Sequence, residues 1–264
     1  MAKHGTMRSE VKGGVATLFL DRPDKKNALS TELFEDLVET LAQWRRDDSV
    51  AAVVITGTEE YFSAGLDLDT MNWKSEEERL RWYDATYYGY LELLEYPKPT
   101  IAAVAGPTFG GGCDIAVFCD IRISSPNAKF GFPQIRFGLT PFVDPLQRIV
   151  GQSQAKLLVL TGRRINAQEA LRIGLVSEVT PVGELRGRAL TLAKQIAEMG
   201  PELAKIFKGV ALRASNMDHL GALQYELTVT HDLLQRGIFR ERIARGFDRL
   251  KAGDSVAIER AGKS

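Results

Sequence analysis

The chain is poor in the residues that carry several common chemistries. Among its 264 residues there are two cysteines and three histidines, and 34 basic residues are matched by 34 acidic ones. That balance leaves no global basic field for nucleic acid or an anionic membrane surface. The longest uncharged run, residues 99–113, is broken by prolines and glycines and is too short to span a bilayer. The opening "MAKHGTMRSE" has no apolar core of a secretory leader, so a cytoplasmic protein is expected. Cys113 and Cys119, six residues apart, would be separated by about 9 Å of rise on one helix. A disulfide requires Cα atoms within about 7 Å, so the two read as small buried apolar residues in a reducing compartment. His4, His219 and His231 lie far from any glycine-rich segment, and no metal-ligand spacing is present, so no metal is expected.

Three motif classes are also missing. No Walker A sequence occurs. "YFSAG" fails as a nucleophile elbow because Tyr61 stands where its first glycine belongs. A dinucleotide fingerprint started at Gly110 would place its third glycine on Ile115.

What is present alternates strand and helix signals and then turns wholly helical. "GVATLFLDRP", "VAAVVITG" and "TIAAVAG" read as strands, the last two as continuous apolar runs buried on both faces. "DIRISS" and "AKFGF" read as short strands. Ser30 can cap a helix over 31–46 that carries the stripe Leu33, Phe34, Leu37, Val38, Leu41 and Trp44. Residues 76–96 read as an aromatic-rich helix, and a further helix is expected near 112–119. Ser153 is expected to cap 154–161. Asn166 with Glu169 resembles a capping box, and an amphipathic helix runs from Leu185 to Met199. From Pro201 the chain reads as helix. This order predicts an α/β core followed by a helical extension suited to oligomerisation. Residues 1–9 and the closing "AIERAGKS" read as frayed.

The segment "GPTFGGGCDIAVFCD" runs three glycines into a helix. A helix start offers free N–H groups at a positive dipole end, glycine lets a ligand approach the backbone, and anionic oxygen binds there. "FSAGLDL", residues 62–68, is a second such turn. Two donors from two turns could hold one oxyanion; equally, both could be tight strand-to-helix turns without a ligand.

Four ordered motifs resemble the enoyl-CoA hydratase/isomerase (crotonase) family: "DRPDKKNALS", "VVITGTEEYFSAGLDL", "IAAVAGPTFGGGCDIAVFCDIRISSPNAKFGFPQIRFGLTP" and "LTGRRINAQEALRIGLVSEV". The resemblance implies a crotonase-like α/β fold of repeated ββα units over 1–200 and a helical trimerisation region over 201–264. It implies a homotrimer or a hexamer of paired trimers. The implied substrate is an acyl-CoA thioester, with coenzyme A part of the substrate rather than a bound cofactor. The thioester oxygen would sit between the N–H groups of Leu66 and Gly111. Coenzyme A contacts would fall on Lys25, Lys26, Ala28, Ala64, Asp67 and Leu68.

The chain departs from the hydratase pattern of two glutamates twenty residues apart. The matching positions hold Asp114 and Gln134. Aspartate is one methylene shorter, and glutamine can hydrogen-bond but not exchange a proton. Asp114 is expected to act as acid or base and Gln134 to hold water. A place in the first helical turn would lower the Asp114 pKa. Phe142 stands where some isomerases carry a further acid. "PFVDP" replaces a glycine-rich stretch and introduces Asp144, either a pocket acid or a helix N-cap. Tyrosines 61, 83, 87, 88, 90 and 96, with Trp73 and Trp82, suggest a pocket for a bulky or aromatic acyl group, or else aromatic packing. The expected function is hydration of an enoyl-CoA. The alternatives are double-bond isomerisation, hydrolysis or C–C cleavage of a specialised acyl-CoA, and non-catalytic acyl-CoA binding.

Overall fold

A computed structural model of the chain describes residues 2–240 and 242–244. In chain order the first half runs β1 (Ala2–His4), β2 (Met7–Lys12), β3 (Val15–Leu20), α1 (Thr31–Arg46), β4 (Ala52–Thr56), α2 (Glu76–Leu94), β5 (Thr100–Val104), β6 (Pro107–Phe109) and α3 (Gly111–Phe118). The second half runs β7 (Ile121–Ser124), β8 (Lys129–Gly131), α4 (Val143–Val150), α5 (Gln152–Thr161), β9 (Arg164–Asn166), α6 (Ala167–Arg172), β10 (Glu178–Val179), α7 (Val182–Glu198), α8 (Pro201–Ala214) and α9 (His219–Gln235).

The main sheet is ordered β1-β2-β3-β4-β5-β7-β10. β1, β2 and β3 pair antiparallel, and from β3 onward every neighbour is parallel. Of the parallel strands, β3, β4 and β5 are buried on both faces, as their apolar runs require. Ala16, Leu18, Val53, Ile55, Ala102 and Val104 join the large core with α1 and α3. The alternate residues Val15, Ala52, Val54, Ile101 and Ala103 pack with Leu185, Ala189 and Ala193 of α7. The expected α/β fold is therefore present. The N-terminus departs from the expected fraying: β1 and β2 form the sheet's edge, and Met7 is fully buried.

Helix ends follow local chemistry. The Ser30 hydroxyl accepts from the Leu33 N–H at 3.3 Å, and Asn166 Oδ1 accepts from the Glu169 N–H at 2.9 Å. Ser153 does not cap α5. That helix begins at Gln152 with Gly151 at its cap, so Ser153 lies inside the first turn. Two units are delimited, Met1–Lys205 and Ile206–Ser264; of the latter, the residues from 245 on lie outside the described residues, and so does the "AIERAGKS" end.

β6, β8 and β9 make a second, three-stranded sheet whose first strand leads directly into α3. The far end of α3 is held by Arg122, which is 7% exposed. Its Nη1 donates to the Cys119 carbonyl at 2.6 Å and its Nε to the Leu175 carbonyl at 2.8 Å. A cation among free carbonyls at a helix C-terminus is favourable by charge and by hydrogen bonding. Arg122→Met is expected to leave buried carbonyls without donors and to cost about 3 kcal/mol, measured as a lower urea midpoint at unchanged slope.

Candidate active site

Two turns are stitched side by side. Ser63 bridges to Thr108, and the Phe109 N–H donates to the Ser63 carbonyl at 3.1 Å. The Leu29 N–H donates to the Gly65 carbonyl at 2.8 Å, and Asp67 N–H returns to the Leu29 carbonyl at 2.9 Å. This pattern skips the intervening Leu66 N–H. Neither it nor the Gly111 N–H at the start of α3 has an acceptor among the described residues. The two turns are close: a Cβ at Gly65 would lie 3.5 Å from the Gly111 nitrogen.

Each glycine of the run has its own reason. Gly110 caps α3 at φ 48° and ψ −121°, a conformation that an L side chain rarely adopts. A Cβ on Gly111 would lie 2.5 Å from the Tyr90 hydroxyl, and one on Gly112 would lie 2.8 Å from Ser63. Ser63 and Asn27 lock the turns from behind. The Ser63 hydroxyl donates to the Asn27 carbonyl at 2.7 Å, and Asn27 Nδ2 donates to the carbonyls of Tyr61 and Phe62. Sequence reasoning did not single out either residue; Asn27, at φ 55°, left the signal of an asparagine just before a helix cap.

Asp114 and Gln134, twenty residues apart, come together. Gln134 Nε2 donates to Asp114 Oδ2 at 3.0 Å, and both side chains are buried. Their remaining oxygens, Asp114 Oδ1 and Gln134 Oε1, have no partner among the described residues. Burial pushes the Asp114 carboxyl up to about 8, against the opposing hydrogen bond from Gln134. The expectation that the helix start would lower this pKa is overturned, because burial disfavours the charged carboxylate more than its hydrogen bonding favours it.

The aromatic segment divides in two. Tyr83, Tyr87 and Tyr88 are about half exposed, and Tyr83 stacks on Tyr87. Tyr90 points inward, its ring packed against Phe34, Phe118 and Phe142. Asp144 is not an N-cap. α4 starts at Val143 with Phe142 at its cap, and Asp144 is exposed and paired with Arg148 at 2.9 Å. That pair, with Gln147, holds its carboxyl below the usual range.

Comparison with known proteins adds to this geometry. The family described as enoyl-CoA hydratase/isomerase matches residues 10–251. The chain belongs to that family. It is similar to the short-chain-enoyl-CoA hydratase of Clostridium acetobutylicum, 39% identical over 82% of this chain and 85% of that one. It is also similar to the 2,3-dehydroadipyl-CoA hydratase of Escherichia coli, 37% identical over 86% of this chain and 84% of the relative. The fold matches an enoyl-CoA hydratase structure from Bacillus anthracis with a TM-score of 0.86 at 29% identity, covering 94% and 96% of the two chains.

In this enoyl-CoA hydratase/isomerase family member, the six positions implied for coenzyme A lie in two loops joined by hydrogen bonds. The Ala64 N–H donates to the Lys26 carbonyl at 2.9 Å. Lys25, Lys26, Ala64 and Leu68 are exposed; Ala28 is buried. Lys25 pairs with Asp69 at 2.8 Å, and Lys26 lies over the Tyr61 ring. Asp67 is buried, with its carboxylate bound to Arg22 at 2.8 Å and capping the Asp69 N–H. Its side chain is thereby committed to joining the two loops. Among the described residues no helix is long and apolar enough to cross a membrane.

Proposed function

We propose that the protein adds water across the double bond of an enoyl-CoA thioester. The observation that carries this reading is the pair of unpartnered acceptors, Asp114 Oδ1 and Gln134 Oε1, with Asp114 on the helix that begins at the free Gly111 N–H. One water has two O–H donors and can satisfy both acceptors, leaving a lone pair to face the substrate. The N–H groups of Leu66 and Gly111 would take the thioester oxygen, where enolate charge develops. The Asp114 carboxylate removes a proton from the water as its oxygen bonds to Cβ. The double-bond electrons move onto the thioester as an enolate. Asp114 then returns the proton to Cα. Gln134 keeps its protons and orients both water and carboxylate.

Coenzyme A in this reading is part of the substrate, held along the loops of Lys25 to Ala28 and Ala64 to Leu68, and the reading calls for no separate cofactor or metal. The 201–264 extension would mediate a homotrimer or paired trimers. α9 presents Leu220, Leu223, Leu227 and Leu234 exposed at helical spacing, which supports such burial. Two free buried thiols are compatible with a cytoplasmic setting.

The test is incubation with a panel of aliphatic and aromatic enoyl-CoA esters, followed by mass spectrometry. A product heavier by one water is expected. An unchanged mass with a displaced double bond would mean isomerisation instead. Tight binding of every ester without turnover would mean a binding protein.

A further inference from the structure

A third polar atom in the site remains unassigned by the hydration chemistry. The Tyr90 hydroxyl is buried and has no hydrogen-bond partner among the described residues. Leaving a buried hydroxyl unpaired costs about 1–3 kcal/mol, so its retention needs an explanation. Its direction supplies one. It lies 2.5 Å from where a Gly111 Cβ would stand, beside Leu29 and Leu66 atoms at 3.1 and 3.3 Å from the same point. A Cβ is about 2.5 Å from its own nitrogen, so the hydroxyl lies within about 5 Å of the Gly111 N–H. That separation leaves room for one acceptor oxygen to take the Gly111 N–H and the phenol O–H together, each at ordinary distance.

We propose that the Tyr90 hydroxyl is a third hydrogen-bond donor to the thioester oxygen, completing a cradle with the N–H groups of Leu66 and Gly111. The inference rests on the thioester reading of the site. The ring is fixed for this by Phe34 at 5.0 Å, Phe142 at 4.8 Å and Phe118 at 5.4 Å between centroids, so the donor is held in place before substrate arrives. The ionisable groups facing the phenol are Asp114 and Cys113, both of which oppose its ionisation, as does burial. It therefore stays a neutral O–H. The Cys113 thiol is occupied by the Thr108 carbonyl at 2.9 Å and does not compete for it.

Tyr90→Phe removes one oxygen and keeps the packed ring. Its Tm should equal or exceed that of the parent, because the lost hydroxyl has no protein partner. A marked fall in Tm would reveal such a partner and overturn the proposal. The decisive reading uses acetoacetyl-CoA, whose enolate carries charge on the same oxygen and absorbs in the near ultraviolet. The titration is run in an Asp114→Asn background so that the carboxyl does not overlay it. With Tyr90→Phe the bound enolate should titrate about one unit or more higher, corresponding to about tenfold or more loss of stabilisation. An unshifted titration overturns the role of Tyr90 whether or not hydration is observed. A shifted titration in a protein that hydrates no enoyl-CoA keeps the third donor and rejects the hydration reading alone.

Discussion

Asp114→Asn is expected to lower kcat/KM for enoyl-CoA hydration by about 10²- to 10⁴-fold, the usual worth of a general base. Asparagine can keep the hydrogen bond from Gln134 Nε2, so the loss isolates proton transfer from geometry. The parent enzyme should show a characteristic pH profile. Asp114 titrates at about 8, and the carboxylate is the form that takes a proton from water. kcat/KM should therefore rise with pH through about 8 and level off above it, while the residual rate of the variant stays flat there. A flat parental profile across that range would remove Asp114 from the role of base. Stability should move the opposite way. The folded carboxyl titrates about four units above its ordinary 3.8, so its contribution is complete below about pH 4 and is lost as pH rises through about 8. Each unit within that window is worth about 1.4 kcal/mol. The parental Tm should fall between pH 5 and 9 more steeply than that of the asparagine variant.

Gly111→Ala should cost stability and rate together. The new methyl would meet the Tyr90 hydroxyl at 2.5 Å, and the ring cannot swing away from its three aromatic neighbours. Overpacking of this kind costs about 1–3 kcal/mol. The methyl also crowds the Leu66 side chain at 3.3 Å beside the Gly111 N–H, so kcat should fall by about a hundredfold or more. Combining it with Tyr90→Phe removes the colliding oxygen. The double variant should recover its urea midpoint and remain slow. If stability and rate both return to those of Tyr90→Phe alone, the glycine serves packing alone; if neither does, the collision is not with Tyr90.

The sequence was most legible where one residue type has one physical use. Continuous apolar runs marked β4 and β5, and the glycine run marked the start of α3. The Asp114–Gln134 pair was legible through family position. What stayed hidden depended on remote packing. "MRSEVK" looks polar, yet becomes β2 because β3 offers it a pairing edge. The pKa of Asp114 was misjudged because the sequence displays the helix start but not the exclusion of water around it. Six tyrosines looked alike until the fold buried Tyr90 and Tyr96. The buried positions Ala85, Gly89 and Leu93, four residues apart, were the available hint to which face of α2 packs.

The small sheet of β6, β8 and β9 keeps Asp114 and Gln134 aligned. Phe109 and Gly131 are register partners, and the Gly110 N–H donates to the Gly131 carbonyl at 2.9 Å. Asp114 and Gln134 are each reached by a short count onward from that one rung. Their 3.0 Å contact is therefore metred by strand pairing, and the twenty-residue interval is only the length of the detour through β7. An insertion at the turn of residues 125–127 would alter the interval and spare the contact. A one-residue slip between β6 and β8 would leave the interval intact and pull the carboxylate and the amide apart.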